Sequence, residues 1–475
     1  MFNRALKGSA LLTVGRISTY GLSFLRNVIL ARGLSQEVYG LSTSFALAVT
    51  IFEISGRMSF GQRMIQSPEG GSVRFQALSQ GLQFQTGLLG GLLLLLFSSF
   101  LASLFGVPHL AHAFTFLAFV PILDGLIHFD LFRLQREYKY TRLAAIDVIP
   151  QAVSTAMAWP LTQIFPDFRC ILVLVVSKAF LFTALSHFLS LRSYALSFSY
   201  SFVRESSSFA VPLFLNGLLM FMAQQADQLV IASILGLTDL GVYSLALSIV
   251  SIPWFVFSQV GSSIALPYLS QRVGDLTQFR NGYSVVSSAV LFLGSSCIVP
   301  LILFSSEFVT TVYGQKYIDA VPICSLLGLS VFLRVLRFGP ALAGIAKGRT
   351  SDQLYSNTVR LVSLPLSILL LLRGFSLYGV AVASVLAELL AVGFAFGRLH
   401  YHNDVHFRCT LPSVVFGASL AALSVTLALL SKSIAPRIFV LLLSIPATYL
   451  FCSSTSPQFA TYSQRAFNSI LRRVI

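Results

Sequence analysis

DQLVIASILGLTDLGVYSLALSIVSIPW, residues Asp227 to Trp254, reads as the end of one membrane-crossing helix, a short outer loop and the start of the next. It echoes RNVILARGLSQEVYGLSTSFALAVTIFEI, residues Arg26 to Ile54. Val28-Ile29 answers to Val230-Ile231, Gly33-Leu34-Ser35 to Gly236-Leu237-Thr238, and Gly40 to Gly241 after a two-residue gap. The copies lie about 200 residues apart, too long a period for a solenoid. It is the length of one half of a duplicated transporter, in which the substrate lies between the halves.

Composition agrees with a membrane protein. Of 475 residues, 55% are hydrophobic and 10% charged, and mean hydropathy is +0.80. A soluble domain carries about 25% charged residues, so a soluble multidomain enzyme is excluded. The apolar runs are long and continuous, as in LLGGLLLLLF (Leu88–Phe97), which favours helices over a barrel of short alternating strands. The expected fold is therefore all-α and polytopic. The net charge of +15 would suggest nucleic acid in a soluble chain. Here the basic residues suit cytoplasmic loops facing anionic lipid, and no nucleic-acid partner is expected. The five cysteines are scattered without a CxxC, so neither a disulfide frame nor a metal site is expected. MFNRALKGS at residues 1–9 is basic, but the apolar segment after it carries Arg16 and Arg26 and no small-residue cleavage site. It reads as a retained first transmembrane helix rather than a signal peptide.

Fourteen helices are predicted, near 10–31, 39–65, 77–105, 109–132, 143–164, 169–191, 206–234, 240–266, 284–305, 319–346, 353–373, 376–397, 411–431 and 437–452. Each is about long enough to cross ~30 Å of hydrocarbon. Pro121, Pro150, Pro212, Pro253, Pro300, Gly339-Pro340 and Pro365 mark where helices should bend or break. Loops on the N-terminal side hold 18 Lys and Arg against 6 on the other. That bias puts both termini in the cytoplasm. The expected division is an N-terminal six-helix lobe (1–195), a C-terminal six-helix lobe (206–397), an additional helix pair (411–452) and a basic cytoplasmic tail (453–475). The link Arg192–Glu205 separates the lobes.

Eight basic residues remain at membrane depth: Arg16, Arg26, Arg57, Arg63, Lys178, Arg334, Arg337 and Arg360. The acids there are Glu53, Asp124, Asp147, Asp227 and Glu388, with Asp130 near a boundary. A charge at mid-membrane costs at least ~2.5–3.5 kcal/mol, so such residues face a bundle interior or a wet cavity. At ~1.5 Å per residue, Arg16 and Arg360 lie roughly 10 Å above the cytoplasmic edge. Arg57, Arg334 and Arg337 reach the same inner half from the opposite side, Lys178 and Glu388 sit near mid-depth, and Arg26 and Asp227 lie in the outer half. An inner-half set of guanidinium groups is what a phosphate-bearing substrate entering from the cytosol needs, because arginine offers phosphate a planar fork and keeps its charge. Arg16, Arg57, Arg334, Arg337, Arg360 and Lys178 are the substrate-binding candidates. Arg26, Asp227 and Glu388 are the candidates for gating or ion coupling. Plainer readings stand beside these. Glu53 and Arg57 are spaced i,i+4 and equally read as a neutralising pair. Arg334 and Arg337 share one face and also suit snorkelling to the inner interface. Arg26 with Asp227 equally suits a structural bridge. The cluster His400, His402, Asp404 and His406 reads as a solvated loop before it reads as a metal site. No Walker A, GxSxG, HExxH or GxGxxG motif appears in a fitting context, so no ATP-driven step and no cofactor are expected.

Three stretches carry a resemblance: GSALLTVGRISTYGLSFLRNVILARGLSQEVYGL (Gly8–Leu41), FGQRMIQ (Phe60–Gln66) and FAVPLFLNGLLMFMAQQADQLVIASILGLTDLGVYSLA (Phe209–Ala246). With the helix count, the chain resembles the polysaccharide-transporter family, the O-antigen and exopolysaccharide flippases of the multidrug/oligosaccharidyl-lipid/polysaccharide exporter superfamily. The resemblance implies two six-helix lobes about a central cavity, working by alternating access. It implies a cargo of isoprenoid (undecaprenyl) diphosphate-linked oligosaccharide moved to the outer leaflet of a bacterial inner membrane, with polymerase and ligase machinery as candidate partners. Relatives resembling the lipid II flippase carry cations in their first and second helices, where Arg16, Arg26 and Arg57 stand here. Arg57 lies in EISGR, where many relatives have an Asp-Leu-Gly-type run. Two other readings compete. A drug or cation exporter of the same fold would want an acidic or aromatic cavity, against which the eight buried basic residues count. A membrane-embedded polymerase or acyltransferase would want a substantial outer loop or a catalytic His/Asp set, and the outer loops are short.

Overall fold

A computed structural model describes residues 2–53, 57–137, 139–402, 405, 407–431 and 433–474, with side chains undescribed for 2–13, 57–59, 207–210, 212–213, 256, 260, 407–410 and 466–474. The described residues are mostly helical, with no strand among them. The helices group into two units, Met1–Gly241 and Val242–Ile475.

Unit 1 holds α1 (Phe2–Gly33), α2 (Gln36–Glu53), α3 (Arg57–Gln66), α4 (Val73–Leu104), α5 (Ala111–Leu117), α6 (Phe119–Gly125), α7 (Asp130–Arg136), α8 (Tyr140–Ile164), α9 (Phe168–Phe188) and α10 (Tyr200–Ile234). The first turn of α11 (Leu237–Val260) belongs to it as well. Unit 2 takes the rest of α11, then α12 (Leu266–Ser270), α13 (Leu276–Leu303), α14 (Ser305–Val312), α15 (Ala320–Ala346), α16 (Thr350–Arg360), α17 (Ser363–Leu372), α18 (Leu377–Tyr401), α19 (Phe407–Leu430), α20 (Ile434–Thr455) and α21 (Pro457–Val474). Each of the fourteen predicted spans falls on helix where it is described, several of them in pieces. Among the described residues nine segments are individually long and apolar enough to cross a bilayer, or ten counting a bent pair in the fourth span. Leu88, Leu89, Leu92, Leu96 and Phe100 of α4 point outward uncovered, an apolar face suited to lipid.

Short polar caps and glycine turns set where helices begin and end. Ser72 Oγ accepts the Phe75 amide at the start of α4, and Asp275 Oδ1 accepts those of Thr277 and Gln278 at the start of α13. Gly236 turns α10 into α11 at φ 97°, a conformation that costs a side chain-bearing residue dearly.

The helix breaks differ from the expectation that prolines sit at mid-helix kinks. Helices run on through Pro150, Pro253, Pro300 and Pro340. The interruptions fall at residues 126–129, at a π turn over Gly261–Ala265, and at Leu361-Val362. Pro121, Pro267 and Pro365 each lie in the first turn of a restarting helix, where a missing N–H leaves no intrahelical bond unmade.

The core of unit 1 near α3 and α4 packs Phe60, Met64, Phe75, Leu82, Phe129 and Phe202. α15 is the central helix of unit 2, with 72% of its apolar window buried against 17% for α20. At the other face of unit 2, Arg437 of α20 bonds Glu307 of α14 (3.0 Å) and the carbonyls of Ala428 (3.3 Å) and Ser431 at the end of α19. Arg437 is buried, while Glu307 is partly in solvent. Arg437→Leu therefore strands two carbonyls and should cost about 1–3 kcal/mol, whereas Glu307→Gln should cost well under half of that. Thermal unfolding midpoints of the two variants in detergent check the ranking, and equal losses would contradict it.

Candidate functional site

Arg334 and Arg337 lie three residues apart on α15, so they leave the same face. Arg360 is the last residue of α16, at the break before α17, where a cation also suits the helix C-terminus. Glu388 is on α18. The three arginines converge on this one carboxylate. Arg334 Nε lies 2.8 Å and Arg360 Nε 2.9 Å from Glu388 Oε1, and Arg337 Nε is 3.4 Å from Oε2. Glu388 is fully buried and none of the arginines is more than 9% exposed.

The fourth side of the cluster is polar and aromatic. Arg337 Nη1 donates to Ser356 Oγ (2.9 Å) and Asn357 Oδ1 (3.0 Å), and Ser356 donates on to the Ala391 carbonyl. The Arg334 guanidinium lies 5.8 Å from the Trp254 ring centroid. Oε1 serves two arginines, while Oε2 and Arg337 Nε face each other without an aligned hydrogen bond. These four residues together carry a formal charge of +2 in a low-dielectric interior, where a second anion is attracted far more strongly than in water. A small cleft adjoins Arg337, lined also by Gly344, Arg349, Asp352 and Ser356. At its mouth Asp352 holds Arg398 at 2.7 Å.

The structure brings together four of the predicted site residues: Arg334, Arg337, Arg360 and Glu388. The others lie in unit 1. Arg26 of α1 donates to Ser154 of α8 at 3.3 Å. Asp227 is buried on α10, Lys178 half-buried on α9, and Arg16 exposed on α1. The Arg57 side chain, and with it the suggested Glu53 pair, lies outside the described residues, as do Asn403, Asp404 and His406 of the histidine-rich loop. Among the described residues no three His, Cys, Asp or Glu gather as a metal would need. Sequence reasoning missed Ser356 and Asn357, whose partner is one helix away. It also missed a second buried polar cluster around His128 and Asp130 in unit 1, whose signal was the stripe Gln76, Gln80, Gln83 along one face of α4.

A family model described as "Polysaccharide biosynthesis protein" matches residues 29–322, more than half of the chain. The chain belongs to that family. Curated relatives include the teichuronic acid biosynthesis protein TuaB of Bacillus subtilis (strain 168), 24% identical over 72% of this chain and 70% of that protein. The lipopolysaccharide biosynthesis protein WzxC of Escherichia coli (strain K12) is 22% identical over 70% and 68%. The succinoglycan biosynthesis transport protein ExoT of Rhizobium meliloti (strain 1021) is 25% identical over the same shares. Among solved structures, the lipid II flippase MurJ in an inward closed conformation aligns with a TM-score of 0.71 at 15% identity, over 94% of this chain and 98% of its own. An inward-facing multidrug resistance MATE family transporter of the MOP superfamily aligns at 0.59 and 11% identity, over 88% and 96%. The fold of this polysaccharide biosynthesis family member is thus that of polytopic membrane transporters, as the sequence motifs had implied.

Proposed function

We propose that this chain is a flippase for an isoprenoid diphosphate-linked oligosaccharide, working by alternating access in a bacterial inner membrane with both termini cytoplasmic. Two six-helix lobes and a following helix pair form the moving and supporting parts. Its family and relatives support transport in polysaccharide biosynthesis. The observation that carries the cargo's chemistry is the gathering of three buried arginines on one carboxylate. A diphosphate cannot cross hydrocarbon unaided, because burying its charge without partners is prohibitive. Arginine forks replace the lost water with charge-assisted bonds. In the unloaded protein Glu388 holds the guanidinium groups in place; an arriving phosphate competes for Arg337, whose bond to Glu388 is the least well aligned. The same excess of cations speaks against a cationic drug as cargo.

Scrambling of a fluorescent isoprenoid-diphosphate oligosaccharide in proteoliposomes tests the reading. The wild type should transport, and Arg337→Gln, which keeps a donor toward Ser356 but loses the charge, should transport at least tenfold more slowly while remaining folded. Arg16→Ala with Arg57→Ala separately tests the unit 1 cations. A normal rate in Arg337→Gln removes this cluster from the site. Absence of transport by folded wild type across several sugar headgroups removes the flippase reading.

A further inference from the structure

The link between α9 and α10, which the sequence marks as the boundary between the two sets of spans, is tied to the break in the fourth span. The Leu191 amide donates to Asp130 Oδ2 at 2.7 Å. Arg192 donates to Gln76 Oε1 (3.1 Å) and to the Gly71 carbonyl (2.9 Å). The Ser197 amide donates to the Ala77 carbonyl at 3.1 Å, over Gly81, where a Cβ would stand 2.1 Å from the Ser197 oxygen. The Tyr194 ring lies 4.7 Å from that of His187 and 5.6 Å from that of His128. Residues 190–199 are a strap laid along α4 and fastened at the break.

The break itself is held by side chains. Backbone groups freed at residues 123–130 are taken by neighbours: Thr183 donates to the Leu123 carbonyl, Gln83 to that of Asp124, and His187 to that of Leu126 (2.8 Å). The amides of His128 and Phe129 donate to Ser186 Oγ and Gln80 Oε1. The amide of Asp130 donates to His128 Nδ1 at 3.1 Å, capping α7.

That last bond fixes the state of His128. An amide N–H only donates, so Nδ1 carries a lone pair and the ring is neutral, with its proton on Nε2. Nε2 is buried in a residue only 1% exposed and makes no close hydrogen bond, with the Arg192 backbone of the strap the group it interacts with. A second proton has to go to Nδ1, where the Asp130 amide already points. The Asp130 amide then loses its acceptor, and the same residue's carboxylate serves Arg133 through Nε and Nη2 and the Leu191 amide. Protonation therefore breaks the His128–Asp130 bond and moves the residue that holds the Leu191 amide, the first fastening of the strap. The charged and titratable groups facing the ring are Asp130 and Arg133 of α7, the latter also paired with Glu137, then His187 of α9 (ring centroids 5.3 Å apart) and Tyr194 and Arg192 of the strap. α4 contributes only the uncharged Gln76, Gln80 and Gln83. A protonated His187 adds a like charge beside a protonated His128.

We propose that His128 is a proton-binding site that governs the strap: with the ring neutral, residues 190–199 are held on the broken span, and with the ring protonated they are released. The strapped state binds fewer protons than the released one, so strapping strengthens as pH rises and is lost on acidification. This inference does not depend on the cargo.

Hydrogen exchange of the full chain in detergent between pH 7.5 and 5.5, corrected for the intrinsic pH dependence of exchange, tests it. Peptides covering 190–199 in the wild type should exchange faster at the lower pH, approaching the about tenfold per pH unit that one linked proton gives. His128→Asn supplies an acceptor for the Asp130 amide but no titration, and its strap should stay protected at both pH values. His128→Gln serves the same purpose if the asparagine variant does not fold. Tyr194→Ala should exchange fast at both. A wild-type strap with no pH dependence overturns the proposal, as does a His128 variant that keeps the dependence or a His187→Asn variant that alone abolishes it.

Discussion

Glu388→Gln is expected to unfold at a much lower temperature than the wild type. The substitution keeps the side-chain volume and leaves three guanidinium groups facing one another in a largely buried site, where Glu388 has no exposed surface and each arginine little. Removing one partner of a buried ion pair costs about 3–5 kcal/mol, because the remaining charge is left buried. Here the loss falls on three partners at once. Arginine does not escape by deprotonating, so the protein has to open the site or unfold. Adding Arg360→Gln to Glu388→Gln restores the original charge of the cluster and should recover a large part of the loss. Melting of the purified single and double variants, followed by size-exclusion chromatography after heating, measures both effects. A Glu388→Gln protein that melts with the wild type would mean that the carboxylate is not what holds the arginines.

Gly40→Ala should be among the most damaging of the methyl additions. The first turns of α2 and α11 cross so closely that a Cβ on Gly40 would stand 1.8 Å from the Leu237 carbonyl oxygen and 2.9 Å from the Gly241 nitrogen. The reciprocal Cβ on Gly241 would stand 2.2 Å from the Gln36 oxygen. These neighbours are backbone, so no rotamer change relieves the clash and the helices have to separate. Overpacking typically costs about 1–3 kcal/mol, and a backbone collision belongs at or beyond the upper end. Gly21 of α1 has nothing within 4 Å of its would-be Cβ, so Gly21→Ala is the control. The yield of monodisperse protein after purification should fall steeply for Gly40→Ala and Gly241→Ala and stay unchanged for Gly21→Ala. Equal yields from all three would contradict the crossing.

The helical architecture was legible because lipid demands long apolar runs, and such runs are visible one residue at a time. The pairing of Gly40 with Gly241 in the sequence echo proved informative too, since both sit at one tight crossing in unit 1. The breaks were not legible from the prolines alone, because a proline in a helix's first turn and one at its middle look alike in a string. Arg334 and Arg337 could be placed on one face from their spacing. Their bond to Glu388 could not be found, since 54 residues separate Arg334 from it and periodicity within a helix says nothing about which helix lies opposite. Glu388 was singled out from the sequence as a coupling acid, and its place among the arginines adds a second role that its position alone did not suggest. His128 and His187 were not singled out in the sequence at all. Only the folded chain sets their rings 5.3 Å apart.

The order in which the chain is made now matters. α15 leaves the ribosome with Arg334 and Arg337, and α16 follows with Arg360, while the carboxylate that all three share arrives only on α18. An arginine costs up to about 2.5–3.5 kcal/mol in a lone inserted helix, the full amount at its centre, so with their arginines below the surface neither α15 nor α16 is comfortable in lipid by itself. These helices are best kept at the insertion machinery until α18 emerges, and then enter the bilayer as a charge-matched group. A carboxylate placed late in the chain thus makes the assembly of this half a single delayed event.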